Sequence, residues 1–301
     1  MSGAATPELS VVIPSVNEWN DLEGCLSALE RERATIPLEV LVPERCGPDV
    51  RTALARRFPW VQVFPVSTDT TIPQMRALAF HAARAETIAV IEDHVVVPAG
   101  WARQLADARR GVVRVVGGGI VNAATHRTVD WAAFLCEYSH LLTPQPPGPS
   151  EWLTGNNTAY ERALLMECLD VVDAGRWEDV LHATFRERGV VLWCRPDIIV
   201  GHKKHYTVGE YVSQRYLYAR AYAADRANRA SPARVLAYRA ISLVLPPVLF
   251  YRTVSRIWRS GAHRAEFLRS LPLLVVFVVA WGLGDAAGAW FGDGGALAKV
   301  K

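Results

Sequence analysis

Short β-branched runs alternate with helical segments through the first 109 residues, and no other feature limits the fold so strongly. The runs at 9–14 (LSVVIP), 38–42, 61–66 and 87–91 are apolar and too short for helices, so they read as buried strands. Between them, 20–33 place Leu22, Leu26 and Leu29 at helical spacing, and 48–58 can also form a helix. Residues 72–85 set Met75, Leu78, Ala79 and Ala82 in helical register, and Pro98 starts a helix over 99–109. Strands linked by helices through short connections predict an α/β fold, with a mostly parallel sheet and helices on both faces. Residues 112–121, with VVGGGIV, predict one more strand whose glycines allow close approach of a neighbour or ligand.

In such a sheet, ligands bind just past the carboxyl ends of the strands. The run 87–98 (TIAVIEDHVVVP) places Glu92, Asp93 and His94 at that point. Carboxylates with a neutral imidazole suit a divalent ion such as Mg or Mn.

The pattern changes in the second half. Residues 130–142 predict an aromatic-rich helix, and 143–150 (TPQPPGPS) a loop. The stretch 151–160 is turn-rich and holds Gly155, Asn156 and Asn157. Helices are predicted over 161–169 and 179–188, short strands over 190–194 and 198–200, and a long helix over 208–228 capped by Thr207. From Arg234 the composition becomes membrane-like. Residues 235–251 are apolar but carry Arg239 and a Pro246-Pro247 break, 252–269 hold five arginines, and 271–291 are apolar apart from Asp285. About 20 apolar residues suffice for a span. Two spans would put 252–269 outside the cell, against the positive-inside rule. The expectation is therefore that 235–251 lies along the interface and that only 271–291 has the length and composition to span. Two regions are predicted, 1–231 and a C-terminal membrane-associated helical region, 232–301.

Composition narrows the classes further. The net charge is only +3, which does not suit a nucleic-acid binder. The five cysteines are scattered with no CxxC pair, so free thiols in a reducing compartment are expected. The first ten residues show no basic and apolar leader, which predicts that the first region faces the cytosol. No GxGxxG follows the first strand, which excludes a Rossmann dehydrogenase.

Four pieces, in this order, resemble the family 2 glycosyltransferases over roughly residues 9–222. VVIPSVNE at 11–18 resembles the opening strand and nucleotide loop, and Glu92-Asp93-His94 sits where the family has its DxD. Gly155-Asn156-Asn157 resembles the acceptor-side loop, and Arg176-Trp177-Glu178-Asp179 the ED motif. The resemblance implies a GT-A fold and metal-dependent, inverting transfer of a sugar from a nucleotide-sugar donor. It further implies Mn or Mg, a hydroxyl on a glycan or lipid-linked acceptor near membrane lipid, and a role in bacterial cell-envelope glycan synthesis with the site on the cytoplasmic side. It assigns Pro14, Val16, Asn17, Glu18 and Asp93 to the donor nucleotide, Arg76 to the diphosphate, and Gly155, Asn156 and Asn157 to the bound substrate. Glu44 stands within Pro43-Glu44-Arg45-Cys46, where the family has DDGS. Glu92, Asp93 and His94 would hold the metal, joined by His202 or His205 of GHKKHYT, which read equally as a solvated basic loop. Asp179 would be the base, or a helix cap as well, with Glu178 orienting. QRYLY at 214–218 replaces the QxxRW of processive members, implying single additions. A catalytically degenerate relative acting as a membrane scaffold or partner subunit is the alternative reading.

Overall fold

The computed structural model describes residues 6–142, 145–242 and 244–301. Met1 to Ala5, Thr143 and Pro144 of the expected loop, and Leu243 in the apolar segment lie outside the described residues. The chain divides into two compact units, 1–123 with 144–203, and 124–143 with 204–301. The second unit takes in the helix over 208–228, which packs with the apolar C-terminal helices.

The first unit contains β1 (Leu9–Val12), α1 (Trp19–Glu32), β2 (Leu38–Glu44), α2 (Pro48–Arg57), β3 (Gln62–Pro65), α3 (Ile72–Ala82), β4 (Thr87–Val90), β5 (Val95–Val96), α4 (Trp101–Arg109) and β6 (Val115–Asn122). After α5 (Thr128–Tyr138), which belongs to the second unit, it resumes with β7 (Gly148–Ser150), β8 (Thr158–Glu161), α6 (Arg162–Met166), α7 (Leu169–Asp173), α8 (Glu178–Glu187) and β9 (Leu192–His202). One sheet runs β3-β2-β1-β4-β8-β6-β9-β5, with β7 also on β9.

The alternation read from the sequence gives the parallel part, β3-β2-β1-β4. The other part is mixed: β8 runs antiparallel to β4 and β6, β6 and β9 are parallel, and β5 and β7 are antiparallel to β9. β8 lies in a stretch read as turns. Its strand character comes from pairing on both sides, which tertiary context imposes on a short segment. The strand expected over 87–91 is β4, and the chain turns directly after it. The Ile91 N–H donates to the Val12 carbonyl, a turn closes from Val95 N–H to the Glu92 carbonyl, and β5 then joins β9. The two short strands expected over 190–200 form one strand with a bulge, where register passes from Gly118↔Arg195 to Gly119↔Ile199. Pro196 is tolerated at that interruption. A Cβ on Gly118 would lie 2.0 Å from the Ile198 carbonyl oxygen, so glycine is required beside the bulge.

The second unit is helical, with α5, α9 (Val208–Asn228), α10 (Pro232–Ser242), α11 (Leu245–Ser260) and α12 (Arg264–Phe291). The apolar segment expected over 235–251 is divided between α10 and α11, and α11 continues into the arginine-rich stretch. α9 and α12 run side by side in the same direction, with Tyr211 on Phe277 and Arg215 on Trp281. Two glycines let them close: a Cβ on Gly284 would meet the Tyr216 carbonyl oxygen at 2.3 Å, and one on Gly288 the Arg220 oxygen at 2.2 Å.

Glu39 ties the amino ends of the parallel strands together. Its carboxylate accepts from Ser10 Oγ (2.6 Å), Arg84 N–H (2.7 Å), Arg84 Nε (2.8 Å) and Gln62 Nε2 (3.2 Å). Burial acts to raise its pKa, but the hydrogen bonds from Ser10 and Arg84 outweigh it and hold the pKa below the usual carboxylate value. A depressed folded-state pKa stabilises the fold above the unfolded value near ~4.3, and that contribution is lost as pH falls through the folded value. Glu39→Ala is expected to lower unfolding stability by about 2–3 kcal/mol at neutral pH. Glu39→Gln should flatten the acid limb of stability against pH, as measured by urea unfolding. An unchanged acid limb would count against this role.

Candidate metal and donor site

The carboxyl end of β4 gathers the side chains that carry chemistry. Glu92, His94 and His202 each direct one ligand atom to a common point, all within 4.8 Å of one another. His94 Nε2 lies 2.9 Å from His202 Nε2 and 3.2 Å from Glu92 Oε2. His202 arrives at the end of β9, through the pairing of Val95 with His202. Both imidazoles are buried, whereas the Glu92 side chain is one-third exposed (33%) and leaves the group open on one side. Asn156 Nδ2 donates to Glu92 Oε2 at 3.3 Å.

Asp93 takes a different position from its neighbours. It is 1% exposed, and its Oδ2 accepts from Val16 N–H (2.8 Å) and Asn17 N–H (2.9 Å). Its Oδ1 accepts from Asn17 Nδ2 at 2.6 Å and faces His94 Nδ1 at 3.1 Å. The expectation that Asp93 is a metal ligand is therefore corrected: its oxygens are occupied by the loop after β1, and it lies outside the three-ligand group. It supports that group instead. A carboxylate on Nδ1 fixes the imidazole so that Nε2 presents to a metal, the usual partner arrangement for a ligating histidine.

Two Nε2 atoms at 2.9 Å need a shared proton or a shared cation. Burial alone would lower the His94 pKa, but the hydrogen bonds to Asp93 and Glu92 prevail and hold it up at about 10. For Glu92, burial acts upward, and the His94 hydrogen bond and charge prevail and bring it down to about 2. The donor set of two imidazoles and a carboxylate fits a divalent ion of Mn or Mg type, with imidazole favouring the transition metal.

His205 is not part of the group. It lies in the second unit, where its Nδ1 meets Asp130 Oδ2 at 2.7 Å.

In the donor loop, Pro14, Val16 and Asn17 are buried and Glu18 is exposed at the start of α1. Glu44 is fully buried; its Oε1 accepts from Gly47 N–H at 2.6 Å and Arg51 sits 3.5 Å from Oε2. Its Oε1 holds its own turn, while its buried Oε2 has no hydrogen-bond partner among the described residues. Cys46, which the sequence did not mark as a contact, closes that turn on the loop by donating to the Asn17 carbonyl at 2.9 Å.

Asn157 is likewise corrected from ligand contact to framework. It is 0% exposed, its Nδ2 donates to Gly119 O and Ile198 O (both 2.8 Å), and its Oδ1 accepts from Trp101 Nε1. Gly155 allows Glu178 to approach, since a Cβ there would lie 2.1 Å from Glu178 Oε1. Arg76 donates to Glu178 Oε2 at 2.6 Å and to the Gly155 carbonyl at 3.3 Å. Its Nε is buried with no partner among the described residues, which leaves one donor unused. A pocket beside this pair is lined by Arg76, Tyr160, Arg176, Glu178 and Leu181, with Phe80 at its wall. Asp179 is exposed in the first turn of α8 and is not among the pocket residues. Tyr160, bonded to His182 Nε2 at 2.9 Å, is a site feature that spacing did not single out, and Arg176, read from the sequence only as the first residue of the ED motif, lines the same pocket.

Comparison with known proteins gives the fold a context. No family model matches the sequence, and no curated protein matches it. Among solved structures, the chain is similar to the mannosyltransferase PcManGT from Pyrobaculum calidifontis, solved in complex with GDP-Man and Mn2+. They share 16% identity, with TM-score 0.57 over 94% of this chain and 87% of that one. It is also similar to S. aureus TarS 1-349, at 12% identity and TM-score 0.51 over 93% of this chain and 90% of that one. These likenesses establish the fold as the mixed α/β, GT-A type.

A metal joining His94 Nε2 must displace its proton, so affinity should rise with pH, by up to about tenfold per unit below the His94 value. Titration calorimetry of the purified chain with Mn2+ in buffers of different ionisation enthalpy should detect that proton release near neutral pH. His202→Ala should abolish tight binding, and Asp93→Asn should weaken it roughly 10–100-fold. Equal affinity in wild type and His202→Ala would remove this site from consideration.

Proposed function

We propose that this chain is a metal-dependent glycosyltransferase that moves a sugar from a nucleotide-sugar donor to a hydroxyl, with inversion. The observation that carries the reading is the Glu92, His94 and His202 group at the carboxyl end of β4 in a GT-A-type sheet. A divalent ion held there would supply Lewis-acid stabilisation of the negative charge on a departing diphosphate.

The chain's own groups account for the rest. The loop of Pro14 to Glu18, fixed by Asp93, forms the nucleotide end of the site. Arg76, with its unused Nε, supplies a cationic donor for a diphosphate oxygen or sugar hydroxyl. Gly155 and Asn156 line the approach to the reacting sugar, and Asn156 holds Glu92 in place. Glu178 is a positioning residue, since it holds Arg76 and packs on Gly155. Asp179 is the base. Its exposed carboxylate lies in the first turn of α8, where the helix dipole favours the ionised form. It takes the acceptor hydroxyl's proton as that oxygen attacks the anomeric carbon and the nucleoside diphosphate leaves from the opposite face. An acceptor near membrane lipid, glycan or lipid-linked, fits the exposed apolar residues of the second unit. The replacement of QxxRW by QRYLY supports single additions.

Screening the purified chain with Mn2+ against a panel of nucleotide sugars, reading donor hydrolysis and transfer, tests the class. Asp179→Asn should lower kcat by roughly 100-fold or more with donor Kd nearly unchanged. Glu178→Gln should instead weaken donor binding by freeing Arg76. Full transfer by Asp179→Asn would refute the base assignment, and no metal-linked nucleotide binding at all would favour a non-catalytic scaffold.

A further inference from the structure

The second unit carries an apolar surface that its own fold does not cover. α12 is 28 residues long, about 42 Å, and among the described residues it is long and apolar enough to cross a membrane by itself. It is apolar around its whole circumference, yet only one stripe is exposed, including Val275, Val279 and Leu283 at helical spacing. The opposite face is occupied along its length. Near its start Trp131 of α5 stacks on His263, and further on Phe277, Trp281, Gly284 and Gly288 lie against α9.

That neighbour decides the orientation. α9 brings Arg215 onto Trp281, midway along the apolar stretch 271–291, and Arg226 onto the buried Asp285 one turn further on. If α12 crossed a bilayer, α9 and these charged groups would enter the hydrocarbon with it, the most costly location for Arg and Asp. A helix lying flat avoids this, since α9 stays on the water side and only the exposed stripe meets lipid.

α11 carries a second exposed apolar surface. Val248, Tyr251 and Trp258 are exposed on it, and Leu249 and Ile257 are buried. Tyr and Trp at such positions suit the boundary between headgroups and acyl chains. Residues 232–269 hold seven arginines against one acid, Glu266, and Arg252, Arg256 and Arg259 follow the α11 stripe. That charge is complementary to an anionic leaflet.

We infer that the second unit is a monotopic membrane-docking module: α10, α11 and α12 lie in one leaflet of an anionic bilayer, and α12 does not span it. This holds whether or not the chain transfers sugars, so its test does not depend on activity.

The full chain is mixed with preformed phosphatidylcholine vesicles, with and without phosphatidylglycerol, and floated through a density gradient. Flotation with the anionic vesicles is expected, weakened roughly tenfold or more by Val275→Glu with Val279→Glu. Arg252→Glu with Arg259→Glu should weaken it by a similar factor on anionic vesicles only. Circular dichroism confirms that each variant is folded. Orientation is read with Arg264→Cys and Asp293→Cys, one at each end of α12. A membrane-impermeant maleimide added outside should label both without detergent, as located by mass mapping. An end labelled only after detergent would mean a span and overturn the inference. A chain that stays off both vesicle types and sediments as a dimer would place a second copy on this face, with the same consequence.

Discussion

The carboxylate of Asp93 is the interaction on which the site depends. A buried charge is stable only when nearly every lone pair is satisfied, and Asp93 meets that condition with three donors from the loop after β1 and the imidazole of His94. The pairing of β1 with β4 ends where Ile91 donates to Val12. Beyond that point no ladder holds the two chain segments together, and Asp93 takes over the connection. The same side chain holds the loop after β1 in register and orients His94 toward His202. Asp93 therefore couples the position of the loop to the geometry of the ligand group.

Much of this was legible in the sequence. The alternation of strand and helix up to Arg109 predicted the parallel part of the sheet, and two of the three residues in Glu92-Asp93-His94 fall in the group that could hold a metal. The division of labour within that tripeptide was not read, because residues 92–94 lie in the turn closed by Val95 N–H on the Glu92 carbonyl, and a turn directs its side chains by its own geometry rather than by the alternation of a strand. His202 was harder to assign, because it reaches the group across 108 residues, at the end of a bulged strand. A bulge depends on what the partner strand allows, here Gly118, and spacing along a single chain does not carry that information. The same limit hid β8, whose short turn-rich sequence becomes a strand only between two partners.

Glu178 and Asp179 show a related limit. Both belong to one motif, and both are carboxylates in the first turn of α8. Neighbours on a helix point about 100° apart, so one can hold Arg76 while the other faces solvent. The structure gives the ion pair to Glu178. The turn at Pro43 to Cys46 follows the same logic. It meets the loop after β1 through the Cys46 thiol, with Glu44 turned inward to Gly47.

The C-terminal helix separates composition from environment most clearly. An apolar segment of this length satisfies the requirement for a span and equally that for the central helix of a helical unit. What distinguishes the two is what the helix touches. Asp285 reads in the sequence as a tolerable charge near the end of a span. In the fold it is buried, and Arg226 of α9 holds it at 2.9 Å. Gly284 and Gly288, which would favour helix association in lipid, here admit the backbone of a helix rich in Arg and Tyr. The same residues that make α12 hydrophobic enough to cross a membrane pack it against a partner that is not, and the exposed stripe is the part left for lipid.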